Sequence, residues 1–202
     1  MTAVTAAVTP KGERRRYALV SAAAELLSEG GFEAVHHRAV ARRAGLPLAS
    51  TTYYFASLDE LVGKAVEYIG TAEAAQLRAQ VQALPRRRRG TDAAVDLLVE
   101  LLAGEPTSEQ LISRYERYIA CARHPALRAI ERRLLQQRID AVVEAMARSG
   151  RSARVDMMTA LVCAVDGAVV SAIVEDRSGP RETVRATLVG VIDVLAPIDE
   201  RM

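Results

Sequence analysis

The chain has no tryptophan, two phenylalanines and two cysteines in 202 residues, and only two of its 27 basic residues, Lys11 and Lys64, are lysines. Each shortage removes a class of protein. Cys121 and Cys163 stand far apart in apolar helical patterns and read as buried, inert thiols of a reducing compartment, not as a disulfide framework. No His/Glu or Cys/His spacing suggests a metal, and no nucleophile–base constellation or glycine-rich phosphate loop occurs, so neither catalysis nor a cofactor is expected. Met1 to Pro10 lacks the positive start of a signal peptide. The longest apolar stretch, Ala160 to Val174, is broken by Asp166 and Gly167 and falls short of the about 20 residues a membrane span needs. A cytoplasmic protein with no membrane partner is expected.

Period-two alternation is also missing, so no strand is expected; apolar residues recur at spacings of three and four. Ala, Leu, Val, Arg and Glu dominate, which favours helix. All seven prolines fall at expected helix borders: Pro10, Pro47, Pro85, Pro106, Pro125, Pro180 and Pro197. The pattern predicts an all-α chain of about nine helices. The first runs from about Lys11 to Glu29 and stops at Gly30-Gly31. Two short ones cover His37 to Arg43 and Leu48 to Tyr54. Ser57, with Glu60 three residues on, forms the capping box of a long fourth. The rest cover about Thr91 to Ala103, Thr107 to Arg123, Pro125 to Ser149, Ala153 to Asp176 and Arg181 to Leu195. The run Arg86 to Arg89 reads as a solvated loop.

The two short helices, joined through Ala44-Gly45-Leu46, fit a helix-turn-helix, with Gly45 supplying the backbone freedom of the turn. Leu48, Ala49, Ser50 and Thr51 are slim enough for a helix entering a major groove about 12 Å wide. The hydroxyls of Tyr53 and Tyr54 can reach phosphates or base edges. Net charge is only +2, but Met1 to Pro47 holds seven basic residues against four acidic ones, a balance of +3. A basic head suits a polyanionic partner. The division expected is a flexible tail at 1–10, a DNA-binding domain at 11–57 and a ligand-binding and dimerisation domain at 58–202.

From Arg14 to about Val62 the sequence resembles the TetR family of bacterial repressors. The resemblance is carried by Gly31-Phe32-Glu33-Ala34-Val35, Val40-Ala41-Arg42-Arg43-Ala44-Gly45-Leu46-Pro47, Ser50-Thr51-Thr52-Tyr53-Tyr54-Phe55 and Ser57-Leu58-Asp59-Glu60-Leu61. It implies a dimeric repressor released from a palindromic operator by a small molecule. It places Leu48, Ala49, Ser50, Thr51 and Tyr53 against the groove and Tyr54 and His37 against phosphates, with Arg38 at the groove edge. Three positions depart from the family pattern. His36 stands where a Thr usually begins the second helix, Thr52 where a Tyr is usual, and Leu58 where a Lys commonly meets a phosphate. Affinity is then expected to lean on Arg14, Arg15, Arg16, Arg38 and Arg42.

The eighth helix is apolar nearly all round and needs partners on more than one side. One side is expected to close the core and another, with the ninth helix, to meet a second copy. The residues assigned to that dimer interface are Ala164, Ala168, Ala172, Val184, Leu188, Val191, Ile192 and Leu195. Asp166 is a carboxylate in apolar surroundings and needs Arg114 or Arg138 to neutralise it, or a wet ligand pocket. Arg114, Tyr115, Tyr118, Cys121, Leu134, Met146, Met158, Val162 and Asp166 are the candidate contacts for a largely apolar effector. Two other readings stay open: an effector-independent DNA-binding regulator, and a helical interaction protein that has lost DNA binding.

Overall fold

The structure, a computed structural model, describes residues 9–175 and 179–200. Among these it contains nine α-helices, one 3-10 turn and no strand. Most of the expected tail, and Asp176 at the expected end of the eighth helix, lie outside the described residues. The chain divides into two compact units, Met1–Gly70 with Glu116–Glu131, and Thr71–Tyr115 with Arg132–Met202. The expected DNA-binding segment 11–57 falls wholly within the first.

The first unit holds α1 (Pro10–Gly30), the 3-10 turn Phe32–Ala34, α2 (His37–Arg43) and α3 (Ala49–Tyr54). It also takes the start of α4 (Leu58–Ala83), the end of α6 (Ser108–Arg123) and the start of α7 (Pro125–Arg148). Thr9 Oγ1 accepts from the Gly12 amide at 3.2 Å, and Pro10 occupies a first-turn position where a missing N–H costs nothing. Leu19, Val40, Phe55, Leu61 and Val66 form the centre of the core, joined by Cys121 and Leu127. Each large side chain enclosed there contributes roughly 1.5–3 kcal/mol.

The α2–α3 turn is set by backbone chemistry. Gly45 has φ +64°, its amide bonds Arg42 O at 3.2 Å, and the Leu46 amide bonds Ala41 O at 2.9 Å. These two bonds are the Schellman closure, which needs a left-handed residue at Gly45. Arg43, at the end of α2, grips Glu29 at 2.7 Å and Glu25 at 3.1 Å on α1.

The second unit holds α5 (Thr91–Leu102), α8 (Val155–Glu175), α9 (Pro180–Leu195) and the remaining parts of α4, α6 and α7. Leu98, Met146, Met158, Leu161, Val165, Leu188 and Ile192 are fully enclosed in its core. α9 is stitched to α5 by Arg181–Glu100, Arg185–Asp92 and Arg185–Asp96. These pairs are exposed, so they orient the helix more than they stabilise it. α8 does have the length and apolar composition of a membrane span, contrary to the estimate from Ala160 to Val174 alone. Its inner face is nevertheless occupied by this unit's own core.

The arginine run also departs from expectation: it is no freely solvated loop. The amides of Arg87 and Arg89 bond Arg148 O and Ser149 O, both at 3.0 Å. The buried Arg89 guanidinium donates to Ser149 Oγ, Arg148 O, Arg87 O and Pro85 O. Arg151, also buried, donates to Arg89 O and Ala196 O and pairs with Asp193 at 2.8 Å. The cations sit where helices α7 and α9 expose their last carbonyls and the negative end of the dipole. Periodicity could not reveal this, because most of the acceptors belong to residues distant in sequence.

Two substitutions test these ties. Arg89→Met removes the guanidinium bonds to Ser149 Oγ, Arg148 O, Arg87 O and Pro85 O and is expected to cost about 2 kcal/mol in denaturant unfolding, whereas Arg87→Ala keeps its main-chain bond and costs under about 0.5 kcal/mol. Gly45→Ala has open space but the wrong φ, with an expected loss of about 1 kcal/mol.

Candidate nucleic-acid interface and ligand cluster

The outer surface of the head is built by α2 and α3. Tyr53 is 81% exposed and Leu48 49%; Ala49 is exposed and Ser50 half-buried. Thr51 is fully buried, which corrects its assignment to the groove. Its hydroxyl donates to Leu48 O at 2.8 Å and lies 2.9 Å from His37 Nδ1. One residue further on, Thr52 is exposed and was missed; successive helical residues are rotated by about 100°, so an inward Thr51 turns Thr52 out. Tyr54 is half-buried, packing on the core edge-to-face with Tyr53.

Arg38 and Arg42 project from α2 into solvent. Arg14 and Arg15 are exposed on α1 itself, as part of a helix. Arg16 lies over the Phe55 ring at 5.1 Å with Glu60 at 4.0 Å, so its charge is partly committed inside the chain. His36, where a Thr was expected, still performs the capping role: its Nδ1 accepts from the Ala39 amide at 3.2 Å. Leu58 packs against the core and Glu60 receives the Ala56 amide at 2.8 Å while the Ser57 hydroxyl receives the Glu60 amide.

The proposed effector contacts divide between the two units. Arg114, Tyr115, Leu134, Met146, Met158, Val162 and Asp166 lie in the second, Tyr118 and Cys121 in the first. The choice of counter-ion for Asp166 is resolved in favour of Arg138, which donates to both carboxylate oxygens at 2.7 and 3.0 Å. Tyr115 Oη donates to Asp166 Oδ1 at 3.0 Å, and burial together with the Asp166 charge pushes the Tyr115 pKa well above the ordinary phenol range. Met146, Met158 and Val162 are buried in the surrounding core. Cys121 belongs with the buried Arg117–Glu131 pair; burial, then Glu131, pushes its thiol up to about 11, and it is inert. Cys163, expected buried, is exposed.

Five residues of the dimer assignment need the same correction. Ala168, Ala172, Val184, Leu188 and Ile192 are buried within the chain, and Ala164, Val191 and Leu195 are half-buried. The apolar residues that α8 and α9 leave exposed are Val155, Ala160, Cys163, Gly167, Val170 and Val174, and Ala186, Val189, Gly190 and Val194. The strongest stripe on each helix faced the unit's own core, and periodicity does not say which partner a stripe meets.

A helix-turn-helix with an outward-facing second helix, in a chain whose other helical unit holds a half-buried polar cluster, defines a ligand-responsive DNA-binding regulator. Residues 19–65 match the family model of bacterial regulatory proteins of the tetR family, and residues 85–194 that of the tetracyclin repressor-like C-terminal domain. The chain belongs to the TetR family. It is similar to the multidrug binding protein EbrR complexed with imidazole, at 28% identity over 93% of this chain and 98% of that one, with a TM-score of 0.68. The EbrR complex with ethidium matches at 26% identity over 91% and 99%, with a TM-score of 0.67. A regulator from Saccharomonospora viridis in complex with choline shares the fold at 14% identity over 91% and 98%, with a TM-score of 0.71. A comparison with curated proteins gives no match.

The Asp166 cluster makes two testable demands. Arg138→Met leaves a carboxylate without its cation and is expected to cost about 3 kcal/mol, while Arg138→Met with Asp166→Leu recovers most of that loss in thermal unfolding. A raised phenol stabilises the fold below the ordinary tyrosine pKa near 10 and loses that contribution as pH rises through its folded value. Absorbance titration is therefore expected to show a late-ionising phenol that Tyr115→Phe removes.

Proposed function

We propose that the chain acts as a homodimeric repressor, reading a palindromic operator with α3 and releasing it when a small molecule binds the second unit. The reading surface is Leu48, Ala49, Ser50, Thr52 and Tyr53, with Arg38, Arg42 and the Arg14–Arg15 pair supplying phosphate attraction. The observation that carries it is the split within α3: Thr51 faces inward while Tyr53, two residues on, is 81% exposed. A structural tyrosine would keep its ring against the core; an exposed aromatic on a slim helix suits contact with a groove. The protein is a cytoplasmic regulator, not an enzyme.

Two copies joined through the exposed faces of α8 and α9 place two heads on half-sites about one DNA turn apart. Gly167 and Gly190 allow close backbone approach, and Val170, Val174, Val189 and Val194 supply apolar area that is otherwise left in water. The effector is a largely apolar molecule with a few polar groups, oriented by Tyr115, Arg138 and Asp166. The planar aromatic cation ethidium, present in an EbrR complex, is a first probe. Coupling between effector and operator is typically about 1–3 kcal/mol, or up to roughly 150-fold in affinity.

Three measurements test the reading. Wild-type protein is expected to enrich a palindromic duplex from a random-sequence pool and to protect two half-sites in a footprint; enrichment of no sequence refutes it. Val170→Arg is expected to give a folded monomer by sedimentation, whereas a persistent dimer moves the interface elsewhere. Ethidium fluorescence, followed with protein alone, is expected to rise on binding and to lose that rise in Asp166→Asn; the enriched duplex, labelled and titrated separately, is expected to bind more weakly in the presence of the effector.

A further inference from the structure

We propose that His36 and His37 are positioning residues for operator reading, with their Nδ1 atoms in opposite roles, so that one caps α2 as an acceptor and the other braces α3 against it as a donor. The inference rests on the reading of α3 as the recognition helix. Neither imidazole needs to touch DNA for the role described.

The assignment follows from which partners can give a proton. The Ala39 amide can only donate, so His36 Nδ1, 3.2 Å away, is bare and the ring proton sits on Nε2. At His37 the logic reverses. Leu48 O can only accept, and it takes the single hydroxyl proton of Thr51 at 2.8 Å. Thr51 Oγ1 therefore has only lone pairs to offer His37 Nδ1 at 2.9 Å, so that nitrogen carries the proton. The chain His37 Nδ1–H to Thr51 Oγ1–H to Leu48 O joins the first turn of α2 to the N-cap and the third residue of the six-residue α3.

The mechanical consequence is specific. α2 has seven residues and α3 six, too few for either to resist bending or fraying alone. Thr51 has 0% exposure, so its hydroxyl cannot turn to water if the brace is lost. The angle between the two helices, and with it the outward set of Leu48, Thr52 and Tyr53, is thus tied to a proton on one nitrogen of His37. The bare nitrogen of His36 holds the first turn of α2 from which His37 springs.

Asparagine separates this role from simple bulk or direct phosphate contact. It presents Oδ1 where His36 offers its acceptor, and an Nδ2–H where His37 offers its donor, so the same substitution serves opposite needs. With the duplex that the wild type enriches as probe, His36→Asn, His37→Asn and Thr51→Ser are expected to keep affinity within about threefold. His36→Leu, His37→Leu and Thr51→Val are expected to lose roughly tenfold or more, with the salt dependence of binding unchanged. Two-bond proton–nitrogen correlation spectra of the free wild type are expected to show the Nε2–H form at His36 and the Nδ1–H form at His37.

Equal losses for His37→Asn and His37→Leu, with a shallower salt slope, would make His37 a phosphate contact and overturn the positioning role. Matching tautomers at the two histidines would overturn it as well, without touching DNA binding. If the wild type enriches no duplex, the recognition-helix reading fails and the positioning role falls with it.

Discussion

Short helices do not hold together in water, because fixing one turn costs several dihedral freedoms for a single hydrogen bond and each end leaves donors or acceptors bare. α2 and α3, at seven and six residues, exist only because their ends are tied and their inner faces buried. His36 serves the first amides of α2, the Gly45 closure serves its last carbonyls, and Thr51 bonds back onto Leu48. Val40, Phe55 and Leu61 then give the pair a core to lie on. The exposed residues of α3 keep their outward set only as long as those ties hold.

The other unit meets the same requirement with arginine. Arg89 and Arg151 sit inside the structure with carbonyl oxygens, a hydroxyl and one carboxylate as partners. A planar guanidinium with five donors can satisfy several such oxygens at once, which a lysine ammonium on a flexible stem cannot match. The strong preference for arginine in this chain therefore has a structural use, whatever its origin. The Arg138–Asp166 pair is of a different kind: a carboxylate on the most apolar helix is made tolerable by two charge-assisted bonds and a phenol. Such a cluster places polar groups inside an otherwise apolar helical unit.

The head and the body are also stabilised differently. The head closes on a small core whose outer helices are braced by side-chain bonds. The second unit closes on α8 and α9, whose outer faces still carry exposed valines, alanines and glycines. Family membership joins these parts into one regulator, and two of the three departures from the family pattern have local physical answers. An imidazole nitrogen replaces a hydroxyl as the cap at His36, and Leu58 packs, half-buried, against the core where the family pattern has a lysine.

Helix number, order and borders were legible in the residues alone, because proline and glycine interrupt a three-and-four apolar rhythm and local chemistry suffices to end a helix. The helix-turn-helix was legible for the same reason: Gly45, Pro47 and the slim residues after it are short-range signals. Which way each stripe faces was not. Thr51 and Thr52 look alike in sequence, yet one is buried and the other exposed. Leu188 and Val189 are equally apolar, yet one lies in the core and the other on the outer face. Arg89 looked like its neighbours until a carbonyl and a hydroxyl of residues about sixty positions away closed around it. Local chemistry determines where a helix begins and stops; the direction its side chains face depends on surfaces contributed by distant parts of the chain, and only their packing decides that.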